Sequence, residues 1–168
     1  MTYLVGYSPH KDDSCALELA CQFARSESSK VHALTVVPRG WETVAGSATD
    51  GDFEAWAGEE GEASAADALA RLAKHADVES SATWVTGRSV PSAILQYADQ
   101  LDASLIVVGS GVDGPAGQIT MTSKTSRLLH SSAVPVVIAP RGYLPQPGSR
   151  IERVTLADIR LAAKLGYR

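Results

Sequence analysis

The segment TMTSKTSR, residues 120 to 127, places Ser123, Lys124, Thr125 and Ser126 side by side where a helical pattern begins. Hydroxyls and a lysine at a helix start can hold an anion. The first backbone N–H groups of a helix have no acceptor within it and lie at the positive end of its dipole, so the amides of Ser123 and Lys124 could point at a phosphate. The same residue types cap helices that bind nothing, and both readings stay open on this segment alone. Upstream, IVVGSGVDG (106 to 114) runs from an apolar stretch into Gly109, Ser110, Gly111 and Gly114. Glycine lets backbone amides approach a phosphate closely and tolerates positive φ, so this loop is the natural companion of an anion site.

Other chemistries find less support. His10, His32, His75 and His130 are scattered, with no pair at the i, i+4 spacing of a helical metal site. Cys15 and Cys21 lie six apart on one helical segment, a poor fit to a disulfide or a metal site, and read as reduced core residues. No Gly-x-Ser-x-Gly elbow is present, although GSG at 109 to 111 comes near it. No catalytic set is legible and no metal is expected. The reading is of a protein that is not an enzyme.

With 168 residues, 45% hydrophobic and 20% charged, the chain has the composition of one soluble globular domain. Its apolar runs are too short to span a bilayer, and MTYLVGYSPHKDD lacks the pattern of a secretory leader, so the expected location is cytoplasmic. The formal net charge is −4. Eight acids and no Lys or Arg lie between Glu42 and Asp67, while Arg150 to Arg168 holds five basic and two acidic residues. Neither run makes a basic face of nucleic-acid size, so neither nucleic acid nor membrane is expected as a partner.

The elements that would position these residues follow from periodicity. Strands are expected at 2 to 7, 31 to 38, 78 to 87, 103 to 109 and 134 to 140, the last two as unbroken apolar runs of the kind covered on both faces. Helices are expected after Asp12, Asp13 and Ser14, from about 53 to near His75 despite Gly58 and Gly61, after Ser89 with Pro91 in the first turn, and from Thr122. The alternation implies an α/β fold: a five-stranded parallel doubly wound sheet flanked by helices, Rossmann-like, with right-handed crossovers. Ligands of such sheets bind beyond the carboxyl ends of the strands, here Tyr7-Ser8, Val36-Val37 and Gly109-Ser110. Trp41, Phe53 and Trp56 flank the acidic run, as a cover over the site or as anchors of a long loop.

The run GRSVPSAILQYADQLDASLIVVGS, the glycine loop, LLHSS and VPVVIAP together resemble the universal stress protein family, over residues 1 to about 142. The resemblance implies a small α/β domain with an adenine nucleotide alpha-hydrolase-like fold, usually dimeric and often binding ATP through a loop of Gly, two residues, Gly, nine residues, then Gly with Ser or Thr. Carried across, these positions are Gly109, Val112, Thr122 and Ser123, so two of the three glycines are absent. Gly111 and Gly114 offer a turn in a shifted register. At the end of the first strand, where ATP-binding members often place an aspartate, stands Ser8, which lacks a carboxylate's paired acceptors for a ribose. The implied binding set is Ser8, Val36, Gly109, Ser110, Ser123, Lys124 and Thr125, with ATP or AMP as a weakly held ligand. The resulting expectation is a non-catalytic stress-response or regulatory protein with a degraded nucleotide loop and weak or absent ATP binding. The alternative is an ATP- or AMP-binding member that uses the loop 109 to 126, with slow ATP hydrolysis left open.

A homodimer is expected through the strand 134 to 139 at a sheet edge. The domain is expected to occupy 1 to 142. After it, 143 to 168 reads as a Pro/Gly linker and tail: a remnant of a second repeat, a strand for a partner, or a basic helix.

Overall fold

The computed structural model of the chain describes residues 1–9, 14–39, 50–111 and 113–145. His10, Asp12, Asp13, Trp41, Val112 and the tail beyond Pro145 lie outside the described residues. Among the described residues nine elements alternate: β1 (Thr2–Tyr7), α1 (Cys15–Glu27), β2 (Lys30–Pro38), α2 (Asp50–Leu72), β3 (Ser80–Gly87), α3 (Val90–Gln100), β4 (Leu105–Gly109), α4 (Ser123–Ser131) and β5 (Val136–Ala139). The strands form one parallel sheet in the order β3-β2-β1-β4-β5.

Side chains alternate across each strand, and the two faces of the sheet build two cores. Tyr3, Val5 and Tyr7 of β1, with Val31 and Ala33 of β2, pack with Leu17, Ala20 and Cys21 of α1 and Ala68 and Leu72 of α2. Leu4, Leu34, Ile106 and Val108 pack on the other face with Ile94 and Ala98 of α3 and Leu128 of α4. β4 is covered on both faces, as its continuous hydrophobic run requires, and so is β1 from Tyr3 to Val5, whereas β5, expected to be covered likewise, is only half-buried over Val136–Ile138 because it ends the sheet. Both cysteines are buried thiols, and burial pushes the Cys21 thiol up to about 12, the wrong direction for a reactive thiolate.

The helix starts differ in how they are held. Ser89 and Thr122 are extended and accept from the backbone N–H of Ser92 and Thr125, so both act as side-chain caps. Ser14 makes no side-chain cap bond, contrary to the role expected of it. α2 is the longest helix, at 23 residues, and contains both Gly58 and Gly61. Its start is tied to the strands by Arg39, which pairs with Glu54 at 2.8 Å, donates to Thr86 at 3.0 Å, and lies over the Phe53 ring. Beyond β5, Tyr143 packs against the α1 side of the core and donates to Gln22.

Candidate functional site at the sheet reversal

From β1 the chain winds outward to β2 and β3, then crosses to β4 and β5 on the other side. A crevice therefore opens beyond the carboxyl ends of β1 and β4, where the connections diverge. A cavity of about 480 Å³ occupies this position. Gly6 lies at its floor, where an added Cβ would stand 3.2 Å from both Ile94 and Val108.

Of the residues expected from the sequence, Ser8, Val36, Gly109, Ser110, Lys124 and Thr125 line the cavity. Ser123 does not: it is the exposed first residue of α4, and its contribution is restricted to a backbone amide. Thr122 takes the lining position instead. Its Oγ1 accepts from Thr125 N–H at 3.1 Å and lies 2.9 Å from Thr125 Oγ1, so the cap satisfies one donor of the helix start. The amides of Ser123 and Lys124 have no intrahelical acceptor. An added methyl at Gly109 would meet nothing within 4 Å, so no neighbour in the chain demands glycine there.

The loop after β4 closes on itself. Gly111 N–H donates to Thr120 O at 2.9 Å, and Thr120 N–H donates to Ser110 Oγ at 2.6 Å. Ser110 is 2% exposed, and its hydroxyl braces the loop although it borders the cavity. A Cβ at Gly114 would lie 2.1 Å from Thr120 Oγ1, and one at Gly111 would lie 3.0 Å from Thr122 Cγ2, so these glycines admit Thr120 and Thr122 at close range. Arg141 completes the closure: its guanidinium donates to Gly114 O at 2.5 Å, its N–H to Gln118 O, and its O accepts from Gly117 N–H. Several amides of this segment, those of Gly111, Gly117, Gln118 and Thr120, are already engaged.

Sequence reasoning offered Trp56 as a cover over the site but missed Glu60 and Ser64, which continue it as a wall of α2. Trp56, Glu60 and Ser64 line the cavity at four-residue spacing, one stripe of the helix. Their types differ too much to register as a periodic signal. It also missed Thr35, the hydroxyl in the otherwise apolar end of β2, and that break in VHALTVVP was the available clue. Tyr7, next to Thr35 in the β1–β2 register, donates its phenol to Asp67, which also accepts from Arg71 Nε at 3.0 Å. Burial and this hydrogen bond raise the Tyr7 pKa, and the same bond lowers that of Asp67. Phe53 is buried against Val37, Ala57 and Trp84 as an anchor, whereas Trp56 borders the cavity.

The described histidines, His32, His75 and His130, serve structure. His32 stacks on Tyr97 and bonds Ser81 at 2.7 Å, with its pKa lowered by burial; His75 lies between Glu18 and Arg25; His130 bonds Ser126 O. Among the described residues no three His, Cys, Asp or Glu side chains form a metal-holding group, and no helix is long and apolar enough to cross a membrane.

Sheet order and crevice together define a doubly wound, Rossmann-like α/β domain. The family model of the universal stress proteins matches residues 1–140, and the chain belongs to that family. Universal stress proteins of Mycobacterium tuberculosis and Mycobacterium bovis are each 37% identical to it over 144 residues, covering 85% of this chain and 49% of theirs. The chain thus spans about half the length of the curated relatives it matches. A universal stress protein structure from Archaeoglobus fulgidus superimposes with a TM-score of 0.61 at 22% identity, covering 83% of this chain and 98% of that one. One from the same organism in complex with dAMP gives 0.58 at 21% identity, with 83% and 97% covered. A universal stress protein in complex with cAMP gives 0.58 at 20% identity, with 84% and 97% covered.

Proposed function

We propose that this protein is a non-catalytic stress-response or regulatory protein of the cytoplasm that holds an adenine nucleotide weakly, and a monophosphate at least as well as ATP. The observation that carries this reading is the closed loop: the amides of Gly111 and Thr120, which could cradle a phosphate chain, already donate to Thr120 O and Ser110 Oγ. What remains for an anion is the start of α4, with Lys124 beside two amides, enough for one phosphate. Glu60 on the α2 wall adds repulsion toward further phosphates. Two related structures were obtained in complex with adenine nucleotides, dAMP and cAMP, which supports an adenine nucleotide as the ligand class. Gly109 adds to it, since the space beside it would let a ligand approach the backbone. The non-catalytic part rests on the engaged hydroxyls: Ser110 braces the loop, and Thr122 with Thr125 caps α4. Titration calorimetry with AMP and ATP, with mass analysis of ligand retained through purification, tests the reading. AMP affinity equal to or above that of ATP is expected; ATP bound more than about tenfold tighter overturns it.

The quaternary proposal is a homodimer through β5. This strand ends the sheet order, and Val136, Val137 and Ile138 remain only half-buried within one chain. A free apolar strand edge invites pairing with a second copy. Sedimentation at on the order of tens of micromolar should show a dimer, and a monomer there would refute the proposal.

A further inference from the structure

His32 is an ionisable side chain, 9% exposed, that sits in the sheet interior away from the cavity wall. Alternation along β2 puts it on the face of Leu34, which packs with Leu4, Ile94 and Ala98. Its ring stacks on that of Tyr97 of α3, with centroids 5.4 Å apart, and its Nδ1 bonds Ser81 Oγ of β3 at 2.7 Å. Its Nε2 is buried and has no hydrogen-bond partner among the described residues. Either neutral tautomer fits, since Ser81 can donate or accept. An imidazolium does not fit, because both of its nitrogens donate and Nε2 would carry an unpaired charge in an apolar setting. The surroundings supply no counter-charge. From β1 the residue in register is Leu4, with Tyr3 and Tyr7 in the other core, and β3 holds no ionisable side chain. From α3 the facing group is the Tyr97 ring, while Asp99 on that helix is exposed. Lys30, two residues earlier on the same face of β2, pairs with Glu79 at 2.6 Å at the surface. Burial is what lowers the His32 pKa.

We propose that His32 is an acid-sensitive latch on α3: neutral, it seats the helix on the sheet through Tyr97, and on protonation it loosens the helix. A charged ring gains hydration only by parting from the phenol ring that covers it. Attraction of a cation to that ring offsets only part of the desolvation cost. Because the native pKa is lowered, the unfolded chain takes up the proton first as pH falls. Stability from this site is therefore complete above the unfolded imidazole value and is lost as pH falls from there toward the native one. The effect reaches the cavity, since Val90, Pro91 and Ile94 of the same helix supply part of its wall. The latch itself requires no nucleotide.

The full chain is titrated from about pH 8 to about pH 4.5, with the His32 ring followed by NMR in the folded chain and in urea. The folded ring should take up its proton at lower pH than the unfolded one. Over the same range, hydrogen exchange expressed as protection factors should show α3 around Tyr97 losing protection at least about fivefold more than α1. His32→Phe keeps the ring stack without a titrating nitrogen, and His32→Gln is the second variant, against the case in which Phe overfills the site. In either variant α3 and α1 should lose protection alike. Tm should also fall less between neutral and acid pH than it does in the unmodified chain, by a few degrees. A His32 ring that titrates where the unfolded one does overturns the latch. So does an excess loss of protection in α3 that persists in the variants, because the proton would then act elsewhere. Equal loss across α1 and α3 in the unmodified chain overturns it as well, as a general acid transition. If neither variant folds, the titration and exchange of the unmodified chain decide, since they need no substitution.

Discussion

Gly61→Ala is expected to destabilise the domain by about 3 kcal/mol, lowering Tm by roughly 6 to 12 °C for a chain of this size. Gly58→Ala, less than a turn away, should raise stability by up to ~1 kcal/mol. An added Cβ at Gly61 would lie 2.1 Å from Cδ2 of Trp84 and 2.5 Å from Cγ, which are ring atoms near the root of that side chain. At Gly58 it would meet nothing within 4 Å. Trp84 cannot swing clear cheaply, because it also packs against the cluster of Val37, Phe53 and Ala57. The helix itself must then lift, and with it Trp56, Glu60 and Ser64, which form the α2 wall of the cavity. Loss of nucleotide affinity should accompany the loss of stability in Gly61→Ala and not in Gly58→Ala. Thermal unfolding and calorimetry on both variants check this, and similar effects from the two substitutions would show that α2 is not seated on Trp84.

Those two glycines mark where reading the sequence stops. By helix propensity they are alike, each a weak point in the first half of α2, and nothing in the local sequence names the partner that makes one of them necessary. The partner is Trp84 on β3, 23 residues later in the chain and adjacent only after the sheet forms. The sheet was legible because ASLIVVG and VPVVIAP are apolar without alternation, and the observed Leu105–Gly109 and Val136–Ala139 fall inside those runs. The α4 start was legible for a local reason too, since Thr122 caps through its own side chain. Ser14 looked equivalent and is not, because capping depends on backbone geometry, and its φ of −87° and ψ of 6° are not those of an extended cap. Thr35 and Ser64 were invisible as a pair because β2 and α2 meet only in the tertiary fold. Ser110 was read as a ligand residue because its position at a strand end is right, but its hydroxyl serves Thr120 of its own loop.

ATP should bind the unmodified protein with a dissociation constant of about 0.1 mM or poorer, equivalent to ~5.5 kcal/mol or less, and the double substitution Val112→Gly with Thr122→Gly should tighten it at least about tenfold. Val112 lies outside the described residues, and its part in the expectation is the β-branched side chain at a position where the family's loop uses glycine. Thr122 has a defined structural part. Its Cγ2 lies 3.0 Å from where a Gly111 Cβ would be, so its side chain fills the space that glycine leaves beside the closed loop. Glycine at the cap costs the helix only a few tenths of a kcal/mol relative to threonine, while it removes that contact and releases the amide of Thr125, which now donates to Thr122 Oγ1 at 3.1 Å. Each amide freed for a triphosphate oxygen is a charge-assisted bond worth about 1.5 to 3 kcal/mol, so one such gain outweighs the loss of the cap. Affinity in the double variant should then fall again on Lys124→Ala, because the helix start still holds the nearest phosphate. Micromolar ATP binding by the unmodified chain, or no gain from the paired glycines, would show that the closed loop is not what limits triphosphate binding.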